Sequence, residues 1–408
     1  MTKPLEGIKV LDLTTFVAAP VCARMLGEMG AQVIKIEHPK GDGWREFGMN
    51  FNSRFSHDEN PVFDIYNSGK KLIALNLKSE EGKEIFWKLL EEADVFVTNT
   101  RPDALKRLGI DYDSVKERCP SLVYAIVLGF GEQGPEAGRP AFDTTAFWTR
   151  SGFLRDLAPL TDSYVPISPP SGVGDTVIGY NLTAQVCAAL IGRMKTGKGD
   201  FVRAGLYHTG IFTNGTMEIV TQRPWGRDYP MSREQVGPPG GCYLCKDGEW
   251  LFLANGQLSV SLPKMFTMIG REDLIGDERY ATREARIANS KELYELFVEA
   301  YKTKTCDEWI ELSKKVDLPL VRMNHYSDVT SDEQAWANGY LEKMECRSGE
   351  TVIMPSVPIE MDSVGEIKTV PAPKVGGDTE EVLLSLGYTK EEICAMEERG
   401  AVYTGEKN

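Results

Sequence analysis

Short apolar runs alternate with stretches of helical spacing through the first 130 residues. Residues 8–13 and 33–36 are apolar runs of strand length, and residues 18–29 between them carry apolar side chains at helical intervals. The alternation continues through KKLIALNL, SEEGKEIFWKLLEEA, DVFVTN and LVYAIVLGF, where Ser79 opens the helix ahead of acidic residues. Strands that alternate with helices predict an α/β fold whose parallel sheet is covered on both faces.

The pattern changes after residue 174. A long apolar helix is predicted for DTVIGYNLTAQVCAALIGRMKTG, with Gly197 at its C-terminal cap. Proline, glycine and polar residues then cluster in TQRPWGRDYPMSREQVGPPGG, which predicts a domain boundary. A strand pair around Lys246-Asp247-Gly248, followed by helices, predicts a second, smaller domain. Near the C-terminus we expect a strand in MPSVPIEM and a short amphipathic helix in DTEEVLLSLGYTKEEICAMEERG.

The balance of charges is acidic. The 408 residues include 46 Lys and Arg against 60 Asp and Glu, a formal net charge of −14. Sequence-independent binding to nucleic acid or to an anionic membrane needs a broad basic face, so neither partner is expected, although a local basic pocket is compatible with this charge. The N-terminal residues lack the features of a signal peptide, and no apolar run reaches the ~18 residues of a membrane span. We therefore expect a soluble, cytoplasmic protein.

Metal binding has little support in the sequence. Eight cysteines are spread along the chain, which is typical of reduced thiols in a large protein. Cys242 and Cys245 form a lone CxxC, but a tetrahedral zinc site needs further close ligands, and the histidines stand at positions 38, 57, 208 and 325. We expect packing thiols and no bound metal.

Three loops next to predicted strands are basic: two of them follow a strand, and NSGKK precedes one. An open parallel sheet binds its ligand beyond the carboxyl ends of its strands. The loops EHPKGDGWR, NSGKK and TNTRPDALKR contribute Lys40, Arg45, Lys70, Lys71, Arg101, Lys106 and Arg107. This concentration suits a phosphorylated ligand, and the alternative for each cation is an ordinary solvated side chain. Neither GxGxxG after the first strand nor GxxxxGK[ST] occurs, so ordinary nicotinamide or nucleoside-triphosphate binding is unsupported.

A fourth loop, LGFGEQGPEAGRPAFD, ends in Asp143 ahead of the helix-like TTAFWTRSG. One interpretation of this aspartate is a helix N-cap, which is a common role for the residue. The other is a carboxylate nucleophile that forms a covalent acyl intermediate. Spacing alone does not choose between them.

Several segments nevertheless follow one another in a recognisable order. They are VLDLTTFVAAPVCARMLGEMGAQVIKIEHPKGDGWR, NSGKKLIALNLKSEEGK, ADVFVTNTRPDALKRLGIDYDSV, LVYAIVLGFGEQGP, PAFDTTAF, GDTVIGYNLTAQVCAALIGRMKTGKGD, TKTCDEWIEL, DLPLVRMNHYSDVTSDEQAWANGYL and DTEEVLLSLGYTKEEI. In this order the chain resembles, nearly end to end, the class III CoA-transferase family. That family includes formyl-CoA and carnitine CoA-transferases and, as a side branch, α-methylacyl-CoA racemases.

The resemblance implies an architecture and a co-substrate. Family members form an interlocked homodimer, with a Rossmann-like large domain made from both chain ends and a small α+β domain from the middle. The corresponding ranges here are 1–225 for the N-terminal part of the large domain, 226–335 for the small domain, and 336–408 for the part that returns to the large domain. The implied co-substrate is a coenzyme A thioester, with no permanently bound cofactor.

The resemblance also implies site residues. Asp143 matches the family nucleophile, and Gly240 and Gly241, together with Gly237, match a glycine-rich loop that closes over the reaction intermediate. The residues that match the family's CoA site are His38, Lys40, Arg45, Lys71, Leu72, Asn99, Arg101, Lys106 and Arg107, with Arg101 and Lys71 the best placed.

Three segments depart from the family pattern. Asn99-Thr100-Arg101-Pro102-Asp103 replaces Asn-Phe-Arg-Pro-Gly, so the aromatic neighbour of CoA is missing. Pro238 and Pro239 interrupt the glycine loop, which puts its mobility in doubt. Gly376-Gly377-Asp378-Thr379 replaces Gly-Glu-His-Thr and weakens a role for that region in the site.

The implied reaction is CoA transfer through an acyl-aspartyl anhydride and an aspartyl-CoA thioester, which needs no ATP. Racemisation is the alternative within the family, and it needs a base on each side of the α-carbon. Phe142 stands where the racemases have histidine, which disfavours that reaction although Asp175 is present. Asp175 has a second interpretation as a cap of the long helix.

The implied substrates follow from the branch of the family that the chain most resembles. These are 2-hydroxyacyl transferases of anaerobic amino-acid fermentation, which pass CoA from an enoyl- or aryl-acryloyl-CoA to an (R)-2-hydroxy acid. Phe147, Trp148, Phe153 and Leu154 are candidates for an apolar acyl pocket or, equally, for helix-core packing. Two further alternatives are a non-catalytic CoA-binding protein and a dinucleotide oxidoreductase of similar architecture.

Overall fold

The computed structural model describes residues 2–51, 55–161, 164–226, 228–235, 239–254 and 256–405. These residues group into two compact units. The large unit comprises residues 1–153, 169–218 and 333–408, and the small unit comprises residues 154–168 and 219–332. The domain boundaries at 225/226 and 335/336 stay predictions.

A largely parallel sheet forms the centre of the large unit. Within the described residues its seven strands are β1 (Lys9–Leu13), β2 (Gln32–Glu37), β3 (Lys71–Leu75), β4 (Val95–Thr98), β5 (Val123–Leu128), β6 (Asp200–Gly205) and β12 (Val402–Tyr403), in the order β12-β3-β2-β1-β4-β5-β6. Only β12 runs antiparallel to its neighbour among these described pairs. The chain moves from β1 outward to β3 and then returns to the other side of β1 with β4. The predicted α/β fold is confirmed.

Helices cover both faces of this sheet. The helices of the large unit are α1 (Ala18–Glu28), α2 (Pro61–Asn67), α3 (Glu80–Glu92), α4 (Pro102–Leu108), α5 (Tyr112–Arg118), α7 (Val173–Thr196), α8 (Leu206–Thr213), α16 (Glu333–Ala337), α17 (Thr379–Ser385) and α18 (Lys390–Glu398). Successive strand residues point to opposite faces. Val97 therefore packs into the core beneath α1 and α7, whereas Phe96 packs into the core beneath α3 and α17.

Two helix ends predicted from the sequence are confirmed. The Ser79 hydroxyl accepts a hydrogen bond from the Gly82 amide at 3.0 Å at the start of α3. Helix α7 ends at Gly197, whose φ is 71° and whose amide donates to the Arg193 carbonyl at 2.7 Å. This left-handed backbone is one that glycine adopts without strain.

Helix α7 crosses α1 at a glycine. A Cβ added to Gly179 would lie 2.5 Å from Val21 Cβ and 2.8 Å from the Ala18 carbonyl oxygen, both shorter than van der Waals contact. We expect Gly179→Ala to lower the free energy of unfolding by about 2 kcal/mol in chemical denaturation, a typical effect of overpacking. Gly192→Ala is the matched control, because its added Cβ meets no atom within 4 Å. Equal stabilities of the two variants would contradict the close crossing.

The small unit is built on an antiparallel sheet. Its strands, in spatial order, are β7 (Gly241–Leu244), β8 (Trp250–Leu253) and β9 (Leu320–Arg322), and residues 246–248 join the first two as predicted. Helices α10 (Leu258–Met268), α11 (Glu278–Ala281), α12 (Arg283–Ala288), α13 (Ser290–Tyr301), α14 (Cys306–Val316) and α15 (Tyr326–Val329) follow along the chain. Their core centres on Phe297, Tyr301 and Trp309. Helices α6 (Phe153–Asp156) and α9 (Gly215–Val220) each include residues of both units.

One predicted strand is displaced. The large unit contains a hairpin of β10 (Leu341–Glu345) and β11 (Thr351–Pro355), so only Met354 and Pro355 of MPSVPIEM belong to a strand. The prediction was wrong for the remaining residues, because prolines at 355 and 358 provide no amide donor to continue a ladder.

The described helices include none that combines the length and the apolar character needed to cross a bilayer.

Candidate active site

A cavity of about 920 Å³ opens at the carboxyl ends of β1, β4 and β5 in the large unit. The strand order changes direction between β1 and β4, and such a switch point is where open parallel sheets bind ligands. The cavity is lined by residues 15, 16, 18, 99–104, 107, 127–132, 137–142, 175 and 206. The cavity therefore lies where the strand topology predicts a ligand site.

The loop after β1 is tied down from two sides. The Asn99 side chain spans the Thr15 backbone, accepting from its amide at 3.0 Å and donating to its carbonyl at 2.7 Å. Asp42 Oδ1 accepts from the Phe16 amide at 3.1 Å. Phe16 has a φ of 63°, a left-handed conformation that is rare for a bulky side chain. These contacts fix one wall of the cavity.

Two buried ion pairs lie in the loops and strands next to this wall. Lys35 Nζ lies 3.0 Å from Asp42 Oδ2, and both side chains are fully buried. Lys70 Nζ lies 2.8 Å from Asp12 Oδ2 and also donates to the Asn67 side chain. Burial lowers the pKa of Lys70 to about 8, against the attraction of Asp12. Lys70 is thus committed to the interior, unlike the solvated loop cation that its sequence position suggests.

Asp143 is the first residue of a π-helical segment, Asp143–Thr149, and its side chain is buried. The N-cap of that segment is Phe142, so Asp143 does not cap its own helix. Its Oδ2 instead accepts from the amide of Gly172, the N-cap residue of α7, at 3.0 Å. Its Oδ1 is buried and has no hydrogen-bond partner among the described residues. Oδ2 is therefore anchored, and Oδ1 is enclosed without a hydrogen bond of normal geometry.

Two opposing influences act on the Asp143 carboxyl. Burial raises its pKa, while the amide of Gly172, the indole N–H of Trp148 and the amides of Gly174 and Asp175 act in the opposite direction. The net pKa is above the usual aspartate value. The nearby N–H groups at the start of α7 supply a positive potential that stabilises the ionised form of this buried carboxyl group.

Asp175 lies in the first turn of α7, whose N-cap is Gly172, so the cap interpretation of Asp175 is wrong. Unlike Asp143, Asp175 is one of the residues that line the cavity. Burial, followed by the negative charge of Asp143, raises the pKa of Asp175 to about 7. The two carboxyl groups are therefore electrostatically coupled.

The raised pKa of Asp175 makes stability depend on pH. The folded-state pKa of Asp175, about 7, exceeds its unfolded value of 3.8. Its contribution to the free energy of unfolding is therefore fully present below pH 3.8 and is lost as the pH rises through 7. We expect Asp175→Asn to match the wild type near pH 4 and to exceed its free energy of unfolding by on the order of 3 kcal/mol at pH 8. Denaturation curves across this range test it, with exposed Asp362→Asn as the control. A difference that does not vary with pH would contradict the raised pKa of Asp175.

The lack of a side chain at Gly174 makes room for the Asp143 carboxyl group. A Cβ at position 174 would lie 2.3 Å from Asp143 Oδ1 and 2.4 Å from the Phe147 ring. Real Cβ atoms do not approach so closely, so any side chain here displaces the carboxyl or the start of α7. In the sequence, this need for a residue without a side chain corresponds to the second glycine of SGVGD, which spacing alone did not single out.

Two of the predicted CoA-binding residues line the cavity as exposed cations. They are Arg101, which precedes α4, and Arg107, in its last turn. Lys106 is exposed without lining the cavity, and so are His38 and Lys40 beyond β2. Lys71 pairs with Glu381 at 2.6 Å on an exposed part of the large unit.

Three other predicted CoA-binding residues have structural partners. Arg45 is buried and donates twice to Glu37, at 3.0 and 3.1 Å, and once to the Pro373 carbonyl. The Leu72 side chain is buried in the core, and its amide donates to Asp378 at 2.7 Å. The Asn99 amide group is engaged by the Thr15 backbone, although Asn99 also lines the cavity. These contacts correct the picture of Arg45 as a free loop cation.

The model of the family described as CoA-transferase family III matches residues 5–379 of the chain. The chain belongs to CoA-transferase family III. It is therefore a CoA-transferase enzyme, and the family implies a CoA thioester as co-substrate. The resemblance predicted from the sequence is confirmed, and the alternative of a dinucleotide oxidoreductase is excluded.

Relatives and solved structures agree with this family III assignment. The (R)-2-hydroxy-4-methylpentanoate CoA-transferase of Clostridioides difficile is 43% identical, over 95% of this chain and 97% of its own length. The cinnamoyl-CoA:phenyllactate CoA-transferase of Clostridium sporogenes is 37% identical, over 97% and 96%. A CAIB/BAIF family protein from Brucella suis superposes with a TM-score of 0.80 at 27% identity, over 95% of this chain and all of that one.

Three of the four apolar residues that follow Asp143 fit the helix-core alternative of the prediction. Phe147 is buried, stacks on Phe153 with ring centroids 5.6 Å apart, and contacts Trp148 edge to face. None of these three lines the cavity, so the helix-core interpretation describes them. Leu154 belongs to the small unit. Phe16, Phe130 and Phe142 line the cavity instead, and spacing gave no signal for them.

The glycine-loop residues lie in the small unit. Gly240 is buried, and Gly241 begins β7 with a φ of 119° beside the guanidinium of Arg233. Gly237 and Pro238 lie outside the described residues. The participation of Gly240 and Gly241 in the reaction stays a prediction.

The part of the chain that the structure describes contains no group of three or more His, Cys, Asp or Glu side chains suited to a metal ion. Cys242 lies in β7 and Cys245 follows it, with Cys245 buried in the core of the small unit.

Proposed function

We propose that this enzyme moves CoA from an enoyl- or aryl-acryloyl-CoA to an (R)-2-hydroxy acid, with Asp143 as the nucleophile. The observation that carries the proposal is the Asp143 carboxyl, which is anchored at 3.0 Å on the Gly172 amide through Oδ2 and has no hydrogen bond of normal geometry at its buried Oδ1. An anchored carboxylate with one free oxygen has lost its rotational freedom before the reaction begins. That arrangement favours attack on an activated carbonyl.

The proposed steps exchange one thioester for another. Asp143 Oδ1 attacks the donor thioester carbonyl, the carbon–sulfur bond breaks, and CoA leaves as a thiolate. The thiolate attacks the aspartyl carbonyl of the resulting anhydride, which releases the donor acid as a carboxylate and leaves an aspartyl-CoA thioester. The acceptor carboxylate displaces CoA to form a second anhydride, and CoA then attacks the acceptor carbonyl and regenerates Asp143. No ATP is needed because the thioester energy is conserved.

The N–H groups around Asp143 support the two additions to the aspartyl carbonyl. Trp148 Nε1 is buried, lowers the pKa of Asp143 as a nearby donor, and makes no hydrogen bond of normal geometry among the described residues. Together with the amides at the start of α7, it offers donors to an oxyanion that develops at the aspartyl carbonyl. We propose Trp148 as an oxyanion donor in this role.

Cations at the cavity suit the phosphates of CoA. Arg101 and Arg107 line it with exposed guanidinium groups, and Arg139 lines it from the loop after β5. Guanidinium binds phosphate oxygens through paired charge-assisted hydrogen bonds. We therefore propose Arg101 and Arg107 as CoA-binding residues, whereas Arg45 stabilises the fold through Glu37.

The substrate class rests on the relatives and on the cavity lining. The two relatives named above act, by their names, on 2-hydroxy-4-methylpentanoate and on phenyllactate with cinnamoyl-CoA. Phe16, Phe130 and Phe142 give this cavity an apolar part that suits branched or aryl acyl groups. Racemisation lacks its second base, because Phe142 cannot move a proton.

A panel of donor acyl-CoAs and acceptor acids tests this function. We expect new thioesters of (R)-2-hydroxy acids, detected by chromatography and mass spectrometry, with the wild type and none with Asp143→Ala. Binding of acyl-CoA without any exchange would show the non-catalytic alternative instead. The homodimer and the cytoplasmic location stay predictions.

A further inference from the structure

Two phenyl rings meet next to the proposed nucleophile. Phe16 and Phe142 contact edge to face, with ring centroids 5.8 Å apart and planes at 81°. Both line the cavity, and Phe142 directly precedes Asp143. Their side chains are 38% and 58% exposed, large values for aromatic residues. Exposed rings inside a cavity are typical of a surface that a ligand covers.

The backbone at Phe16 is strained for a phenylalanine. Its φ of 63° lies in the left-handed region, which glycine adopts freely and bulky residues avoid. Such strain persists only where the surroundings determine it, and it concentrates at functional sites. Because glycine would form this turn without strain, the strain indicates that the ring itself is what the position requires.

A buried anion holds Phe16 in this conformation. Asp42 Oδ1 accepts from the amides of Phe16 at 3.1 Å and Trp44 at 3.0 Å, while Oδ2 pairs with Lys35. Lys35 also donates to the Thr14 carbonyl at 2.7 Å. One buried ion pair therefore fixes the loop on both sides of the ring. The Trp44 ring lies 6.2 Å from that of Phe16 and supports it.

We propose that the Phe16–Phe142 pair selects the acyl group of the substrate, favouring branched or aryl side chains, and that Asp42 is the positioning residue that holds Phe16 for this task. The inference rests on the proposed function, because it names the element that sets the substrate class of the same site. A branched or aryl side chain buries apolar area against two rings, and a ring-to-ring contact adds to that gain. A short acyl chain such as acetyl gains neither.

The test compares kcat/KM for an aryl or branched acyl-CoA with kcat/KM for acetyl-CoA. We expect the ratio of the two to fall by about tenfold or more in Phe16→Ala and in Phe16→Gly. The glycine variant relieves the left-handed strain, so it keeps the loop intact even if the alanine variant folds poorly. Phe252→Ala is the control, because it removes a phenyl ring of similar exposure, 43%, from β8 of the small unit. Its ratio should equal that of the wild type.

Double variants separate selection from structure. If the two rings act as a pair, Phe16→Gly/Phe142→Ala lowers the ratio no further than the more severe single variant. Asp42→Asn should lower the ratio when Phe16 is present and leave it unchanged in the Phe16→Gly background. A purely structural role for Asp42 would lower the melting temperature in both backgrounds without this dependence of the ratio on Phe16.

The outcomes distinguish failure of the selection role of Phe16 and Phe142 from failure of the proposed CoA-transfer function. A ratio that stays at the wild-type value in both Phe16 variants, or that falls equally in Phe252→Ala, would overturn the selection role. Additive effects of Phe16 and Phe142 would overturn the pairing. A wild-type enzyme that transfers CoA from no donor to any acid would instead refute the proposed function itself.

Discussion

Asp143→Asn is expected to abolish CoA transfer, with kcat lower by roughly four orders of magnitude or more, as for loss of other enzyme nucleophiles. An amide does not attack a thioester, and it cannot carry CoA as an aspartyl thioester. The amide oxygen of asparagine can still accept from the Gly172 amide, which Asp143 Oδ2 accepts at 3.0 Å, so the connection to α7 is preserved. Steady-state transfer rates measure the loss.

Two controls accompany this variant. Asp362→Asn neutralises an exposed carboxylate of the large unit and should retain the wild-type rate. Thermal unfolding should show that Asp143→Asn remains folded, because its anchor to Gly172 is kept. Transfer at a rate within about tenfold of the wild type would rule out Asp143 as the nucleophile, since no other group could replace a covalent carrier so well.

Gly174→Ala is expected to lower kcat by about a hundredfold or more, the size of effect that a displacement of about 1 Å produces at a reacting group. The new methyl group would lie 2.3 Å from Asp143 Oδ1, so the free oxygen has to move. The Phe147 ring lies 2.4 Å from the same position, so the methyl group cannot be accommodated by a shift toward that ring. The effect should appear in kcat rather than in KM for acyl-CoA, because the phosphate-binding candidates Arg101 and Arg107 are not among the atoms that a Cβ at position 174 would meet.

Gly192→Ala separates this steric effect from the general consequence of placing alanine in α7. Its added Cβ meets no atom within 4 Å, and alanine favours a helix over glycine by up to about 1 kcal/mol. The variant should therefore be as active as the wild type and at least as stable. If Gly174→Ala and Gly192→Ala have the same kcat, the carboxyl does not depend on the space that Gly174 leaves.

The architecture of the sheet follows from the apolar pattern because buried parallel strands are continuous apolar runs. Residues 123–128 are all buried in β5, and their sequence, VYAIVL, predicts this directly. The same reasoning failed for MPSVPIEM, where apolar residues continue past β11 but prolines supply no amide for a ladder. Apolar character alone therefore does not place the end of an exposed strand.

The site was less predictable, because its contacts join residues far apart in sequence. Asp143 was a candidate from its place after a strand, but its anchor Gly172 lies 29 residues later and spacing gives no sign of it. Arg45 was a candidate for a phosphorylated ligand from its basic loop and for CoA from the family resemblance, yet Glu37 at the end of β2 engages it. Phe16 was overlooked because its left-handed backbone is a consequence of Asp42 and Asn99, which only the folded chain brings together.

The most direct test of the account identifies the group that carries CoA. The enzyme is incubated with a donor acyl-CoA without acceptor, treated with hydroxylamine, digested, and analysed by peptide mass spectrometry. Hydroxylamine converts an aspartyl thioester or anhydride to a hydroxamate, so the account predicts a hydroxamate at Asp143 in the wild type and none in Asp143→Asn. Transfer that proceeds while residue 143 stays unmodified, or a hydroxamate at another residue, would contradict it.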